Sequence, residues 1–204
     1  MRDHGSFEWT PVPELDGRPC PYVVLEGPLT KRVAALSLIR EDLYAVHDLF
    51  SRAQDARDDV LSSKALLFGA LSLYGKCFTQ AKGRGVNLNP RVVFKSHGAK
   101  LSHNRIMEMR HQFVAHAGKS QVEHMVIMLL LNPDENEKSM RGVVGHGISA
   151  HGFDSRAQEE CLEAVREALL YVEKSLEKAR DVLLKNLSEV DVEWAYKNAI
   201  WPDI

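Results

Sequence analysis

Apolar residues recur at steps of three and four over most of the chain, the signature of helices that bury one face. Leu36, Ile39, Leu43, Val46 and Phe50 share a face of a helix expected from Leu29 to about Ala53. A second helix is expected over about Asp58–Lys82. Asp58 and Asp59 suit the positive end of its dipole, and Gly83 can close it. Its stripe of Leu67, Leu71, Tyr74 and Phe78 is widened by Leu66, Phe68, Leu73 and Cys77, so it belongs at the centre of a bundle. Residues 83–90 (G-R-G-V-N-L-N-P) read as a loop, and a third helix follows over about Ala99–His116, with Gly118 as its stop signal. From Ser155 a long helix carries Leu162, Val165, Leu169, Val172, Leu176, Ala179 and Leu183 in a 3-4 step, which fits a bundle helix or a coiled-coil seam.

The period breaks in two places. Val122–Leu131 is too densely apolar for an amphipathic helix and runs into Asn132-Pro133-Asp134-Glu135-Asn136. Arg141–Ser149 then follows, with three glycines. The pair reads as a β-hairpin inserted between helices. Two strands alone are marginal in water, so the hairpin is expected to lie on the bundle or on a second subunit. Residues 1–28 hold five of the eight prolines and read as an extended arm with a short strand at Tyr22–Leu25. The expected fold is therefore mainly α: four to five bundled helices over 29–187, with the hairpin at about 122–149. The Pro-rich arm precedes the bundle, and a short helix or tail over 188–204 carries Trp194, Tyr196 and Trp201.

Composition suits one globular domain, with 204 residues, 45% of them hydrophobic. Cys20, Cys77 and Cys161 lie far apart and form no C-x-x-C pair, which points to a reducing compartment. No run approaches a membrane span and the first residues lack a signal-peptide core, so a cytoplasmic setting is expected. The net charge of −2 hides an asymmetry. Val60–Gln121 holds ten lysines and arginines against the single acid Glu108, a net +9, which leaves −11 for the rest. Such a segment is a candidate surface for a polyanion. The plain alternative is that it docks on acidic helices of the same molecule.

The candidate chemistry sits in Met107–Ala117, M-E-M-R-H-Q-F-V-A-H-A. At roughly 100° per residue, Arg110 and His116 border one apolar ridge from opposite sides, with Phe113 between them, while His111 lies further round. A cleft that uses both therefore needs a distorted helix end or a second copy of the helix. Histidine can take or give a proton near neutral pH, and arginine can brace the charge of a phosphorane. His97, His103, His111 and His116 all fall in the basic segment. The structural alternative is a histidine favoured by the negative end of the helix dipole, beside an arginine paired with an acid of the last long helix.

Arg110-His111-Gln112-Phe113-Val114-Ala115-His116 resembles the arginine–polar–x–histidine signature of the HEPN superfamily (higher eukaryotes and prokaryotes nucleotide-binding domains). The terminal Ala-His and the apolar run beyond it look most like the abortive-infection U2-like branch. The resemblance implies an all-α bundle and a metal-independent endoribonuclease of a toxin–antitoxin or phage-defence system, needing no metal or other cofactor. By the same resemblance, Arg110 would contact the scissile phosphate and His116 would serve as general base or acid. His111, in the position after the arginine, would add a second titratable group. His103, Arg105, Lys100 and Lys119 are the expected nucleic-acid contacts. The implied partners are RNA, a second copy meeting it across the motif helix, and an antitoxin. Where one branch carries a modifiable tyrosine two residues past the histidine, this chain has Gly118, so that control is not expected. The alternatives from other classes are a non-catalytic HEPN-like module that binds RNA or protein, and a helical partner protein that dimerises through its last helix. His111 and His116 are five apart and do not make the i, i+4 pair of a zincin.

Overall fold

The computed structural model describes residues 13–80, 85–112, 123–134, 138–149, 154–188 and 190–202. It is mainly helical with two small antiparallel strand pairs. The helices and the larger hairpin agree with the hydrophobic pattern, whereas the pair at Glu14–Leu15 and Arg18–Pro19 lies in the arm, where the sequence points only to a strand at Tyr22–Leu25. The elements run β1 (Glu14–Leu15), β2 (Arg18–Pro19), α1 (Pro28–Asp55), α2 (Val60–Phe78), α3 (Pro90–Val93) and α4 (His97–Arg110). They continue as β3 (Glu123–Leu131), β4 (Met140–Ser149), α5 (Ser155–Leu187) and α6 (Val192–Lys197). Two compact units emerge: the described residues of Ala34–Glu177 form one, and those of Met1–Val33 with Lys178–Ile204 form the other.

In the larger unit the packing order of four helices follows from specific contacts. The carbonyl of Ala53 in α1 accepts from Ser63 Oγ in α2, and Asp42 meets Lys76, so the two helices run antiparallel. Tyr74 and Phe78 of α2 meet His103 of α4. Arg105 of α4 reaches Glu160 of α5, and Glu167 further along α5 accepts from the Lys95 N–H just before α4. Tyr44 of α1 bonds Glu173 of α5, while Gln158 near the start of α5 donates to the Phe50 carbonyl. The ring of contacts is α1–α2–α4–α5–α1, with each neighbour antiparallel.

Ile39, Leu43, Val46, Phe50, Leu71, Tyr74, Ile106, Val165 and Val172 fill the centre. All five residues of the first expected stripe, Leu36 to Phe50, are buried. Fully burying each large aliphatic contributes about 1.5–3 kcal/mol. This core, rather than intrinsic helix propensity, holds the helices in place.

Two boundaries differ from expectation for local reasons. Helix α2 stops at Phe78 rather than Lys82. The Cys77 carbonyl, which a continuing helix would pair with residue 81, accepts instead from the Leu88 N–H at 2.9 Å. The returning chain thus caps the helix. It then makes the short helix α3, N-capped by Asn89 with Pro90 in its first turn. Leu88, Val93 and Phe94 enter the core there. Helix α4 starts at His97 because Ser96 caps it, its Oγ accepting from Ala99 N.

In the smaller unit, the strand expected at Tyr22–Leu25 reduces to one bridge. Tyr22 exchanges two backbone hydrogen bonds with Ile200. The tail forms α6, with Asp191 as its N-cap. In the larger unit the hairpin forms where expected, in the register Glu123↔Ser149 to Leu130↔Gly142, with an irregularity between Leu130 and Leu131. Among the described residues, no helix is long and apolar enough to cross a membrane.

Candidate functional site

Arg110 occupies the last turn of α4, where the helix dipole favours a cation. Beyond it, His111 and Gln112 continue in a wider π-type turn, and the Gln112 side chain donates to Glu108. The Arg110 side chain lies directly across Gly75 of α2. A Cβ added there would stand 2.3 Å from Arg110 Cδ and 2.4 Å from its Nε, closer than any van der Waals contact. A glycine inside a helix costs about 1 kcal/mol relative to alanine, and the reason for this one is the arginine that covers it. Had Gly75 been read as a gap rather than as part of an apolar stripe, the sequence would have pointed to a long side chain crossing it.

Arg110 Nε is buried and has no hydrogen-bond partner among the described residues, and the guanidinium forms no ion pair with any of them. A buried donor on a charged group is rarely left unsatisfied, so this one calls for an acceptor. The nearest cation along α2, Lys76, is paired with Asp42 of α1 at 3.4 Å. Arg110 is therefore a cation with a fixed stem, while its neighbour is already paired. That arrangement can receive an anion such as a phosphate oxygen.

The remaining predicted site residues divide. His111 is exposed at the end of α4, one residue past Arg110. His116 and Lys119 lie outside the described residues. Lys100 is exposed and forms no ion pair with a described residue. Arg105 is half-exposed but paired with Glu160 at 3.1 Å, and Arg156 shares that carboxylate.

His103 corrects the sequence reading. It is not on a nucleic-acid surface but is 6% exposed inside the bundle. Its Nδ1 shares a 3.0 Å hydrogen bond with the Tyr74 hydroxyl, and the rings of Phe78 and Phe94 stand 4.5 and 5.0 Å from its own. Burial pushes its pKa down to about 4, which keeps the imidazole neutral at pH 7. At about 100° per residue His103 falls on the flank of the aliphatic stripe rather than in it. Ala99, Ser102, His103 and Ile106 are all buried, so the inward face of α4 is broader than its aliphatic residues suggest.

Part of the basic segment does meet acidic helix α5. Arg105 pairs with Glu160, and Glu167 accepts from the Lys95 N–H at 2.6 Å and from Ser96 Oγ. Arg91, Lys95 and Lys100 nevertheless keep exposed side chains along α3 and the first turn of α4. Comparison with protein-family models, with curated proteins and with solved structures gave no match.

Proposed function

We propose that the chain is a HEPN-like endoribonuclease of a bacterial toxin–antitoxin or phage-defence type, acting without a metal cofactor as a pair of chains. One observation carries the reading: the Arg110 guanidinium stem, held over Gly75, has a buried Nε without an acceptor among the described residues. In the proposed reaction, Arg110 donates to the non-bridging oxygens of the scissile phosphate. His116 or His111 removes the proton of the ribose 2′-hydroxyl, whose oxygen attacks phosphorus. The P–O5′ bond breaks, and a protonated histidine, supplied by the same or the second copy, gives its proton to the leaving 5′-oxygen. The products are a 2′,3′-cyclic phosphate and a 5′-hydroxyl. Charge stabilisation by arginine and proton transfer by histidine together account for such a reaction.

The test incubates purified protein with RNA in excess chelator, beside Arg110→Ala and His116→Ala. Cleavage by the wild type and none by two folded variants is expected; equal background in all three would refute catalysis. The second reading, a non-catalytic module that binds RNA or protein, is favoured by the ion pairing of Arg105 and the burial of His103. It predicts salt-sensitive RNA binding through Arg91, Lys95 and Lys100 with no strand scission.

A further inference from the structure

The hairpin β3–β4 has apolar side chains in solvent on both faces. Six consecutive residues, Val126 to Leu131, are each at least 40% exposed, and Met140, Val143 and Val144 add to them. Strand alternation puts Val126, Met128 and Leu130 on one face and Ile127, Leu129 and Leu131 on the other. A solvated antiparallel sheet normally keeps one face polar. Nine side chains at about half exposure leave on the order of 800 Å² of apolar surface divided between the two faces, so each face alone is about the size of the largest patch on a typical monomer, roughly 300–600 Å². Every described side chain over residues 138–146 is also exposed, so the bundle does not cover that described part of the arm.

We propose that this hairpin is a dimerisation arm and that its occupant is the hairpin of a second copy of this chain. A two-fold axis sets a patch against itself, so the patch must not concentrate one sign of charge. No charged residue falls within Val126–Leu131 or Gly142–Gly145. An anionic membrane would call for a cationic collar. The sequence between the two apolar runs instead mixes both signs, with Asp134, Glu135 and Glu137 followed by Lys138 and Arg141. Both strands are also sheet edges, and over Val126–Leu131 β3 carries neither the charge nor the proline that blunts an edge against a like strand. The arm is a contact separate from the motif helix, and it holds two copies together whether or not Arg110 takes part in catalysis.

The test is the mass of the full chain in solution by light scattering. Twice 23.0 kDa is expected for the wild type. Single-chain mass is expected for Ile127→Asp/Leu129→Asp, with an unchanged helical circular dichroism signal. Leu129→Cys is expected to form an interchain disulfide on mild oxidation, whereas Leu61→Cys, exposed on α2, does not. A single-chain wild type, a dimer that persists in the double aspartate variant, or a wild-type monomer that sediments with anionic vesicles would each overturn the proposal. Chelator-resistant RNA cleavage reads the Arg110 proposal separately: a wild-type dimer that leaves RNA intact would keep the arm and lose the catalytic reading, and cleavage by a dimer that persists in the double aspartate variant would do the reverse.

Discussion

Replacing His103 by glutamine isolates the cost of keeping a neutral imidazole in the core. Glutamine does not titrate, and its side-chain oxygen can still accept from the Tyr74 hydroxyl. His103 has a pKa near 6.5 in the unfolded chain and about 4 in the folded one, because burial disfavours the cation. The unfolded state therefore binds the extra proton first as pH falls. The stabilisation from the neutral ring is complete above pH 6.5 and drains away between about 6.5 and 4. One pKa unit corresponds to 1.36 kcal/mol, so the full span is about 3 kcal/mol, most of it lost by pH 4.5. That is a large share of the roughly 5–15 kcal/mol that holds a domain folded. Urea unfolding of wild type and His103→Gln at pH 7, 5.5 and 4.5 measures the effect, since other acid-titrating groups cancel in the difference. The wild type should lose roughly 2–3 kcal/mol more than the variant between pH 7 and 4.5. Parallel losses in the two proteins would mean that His103 is solvated, and the surface role first read for it would return.

Gly75→Ala should cost about 1–3 kcal/mol, since the new Cβ meets the buried Cδ and Nε of Arg110 and the roughly 1 kcal/mol of gained helix propensity only partly offsets the repacking. Because the new Cβ evicts Arg110, RNA cleavage should fall as far as in Arg110→Ala, measured on the same substrate. Tyr74→Phe should cost about 1–2 kcal/mol in urea unfolding at pH 7, because it leaves a buried His103 nitrogen without its partner. Native alkylation should modify half-buried Cys20 first: Cys77 and Cys161 are buried, and burial pushes the Cys161 thiol up to about 12. Mass spectrometry with and without denaturant distinguishes the sites, and early labelling of Cys161 would contradict its packing. Glu160→Gln should cost no more than about 1 kcal/mol, because the pairs it makes with Arg105 and Arg156 are solvent-exposed.

The helices were legible because each pays for its order with a periodic stripe, as in Leu36 to Phe50 and Leu162 to Leu176. What the period could not show was depth. His103 and Leu101 are two residues apart on α4, yet His103 is buried and Leu101 is 56% exposed. Polarity alone inverts that order; the aromatic pocket of Tyr74, Phe78 and Phe94 decides it, and that pocket comes from α2 and the segment before α4. The early stop of α2 depends on a hydrogen bond from Leu88, which no local signal around Phe78 announces. Asn89-Pro90 did carry a readable helix start, but a single turn is too short for a hydrophobic period. Of the proposed catalytic residues, Arg110 and His111 fall within the described structure. Their helix was evident from Ile106 and Met109, but the burial of Arg110 Nε follows from a gap in a neighbouring helix and not from any pattern in its own.

The contact between Gly75 and Arg110 ties two positions 35 residues apart into a single unit of inheritance. A lineage that acquires alanine at 75 while retaining arginine at 110 must displace the guanidinium, whereas one that first shortens residue 110 is free to fill the gap. The order of substitution is thus constrained by sterics alone. Among descendants of this chain, glycine at the first position and a long side chain at the second should be kept or lost together, and any that break the rule should have re-routed the arginine.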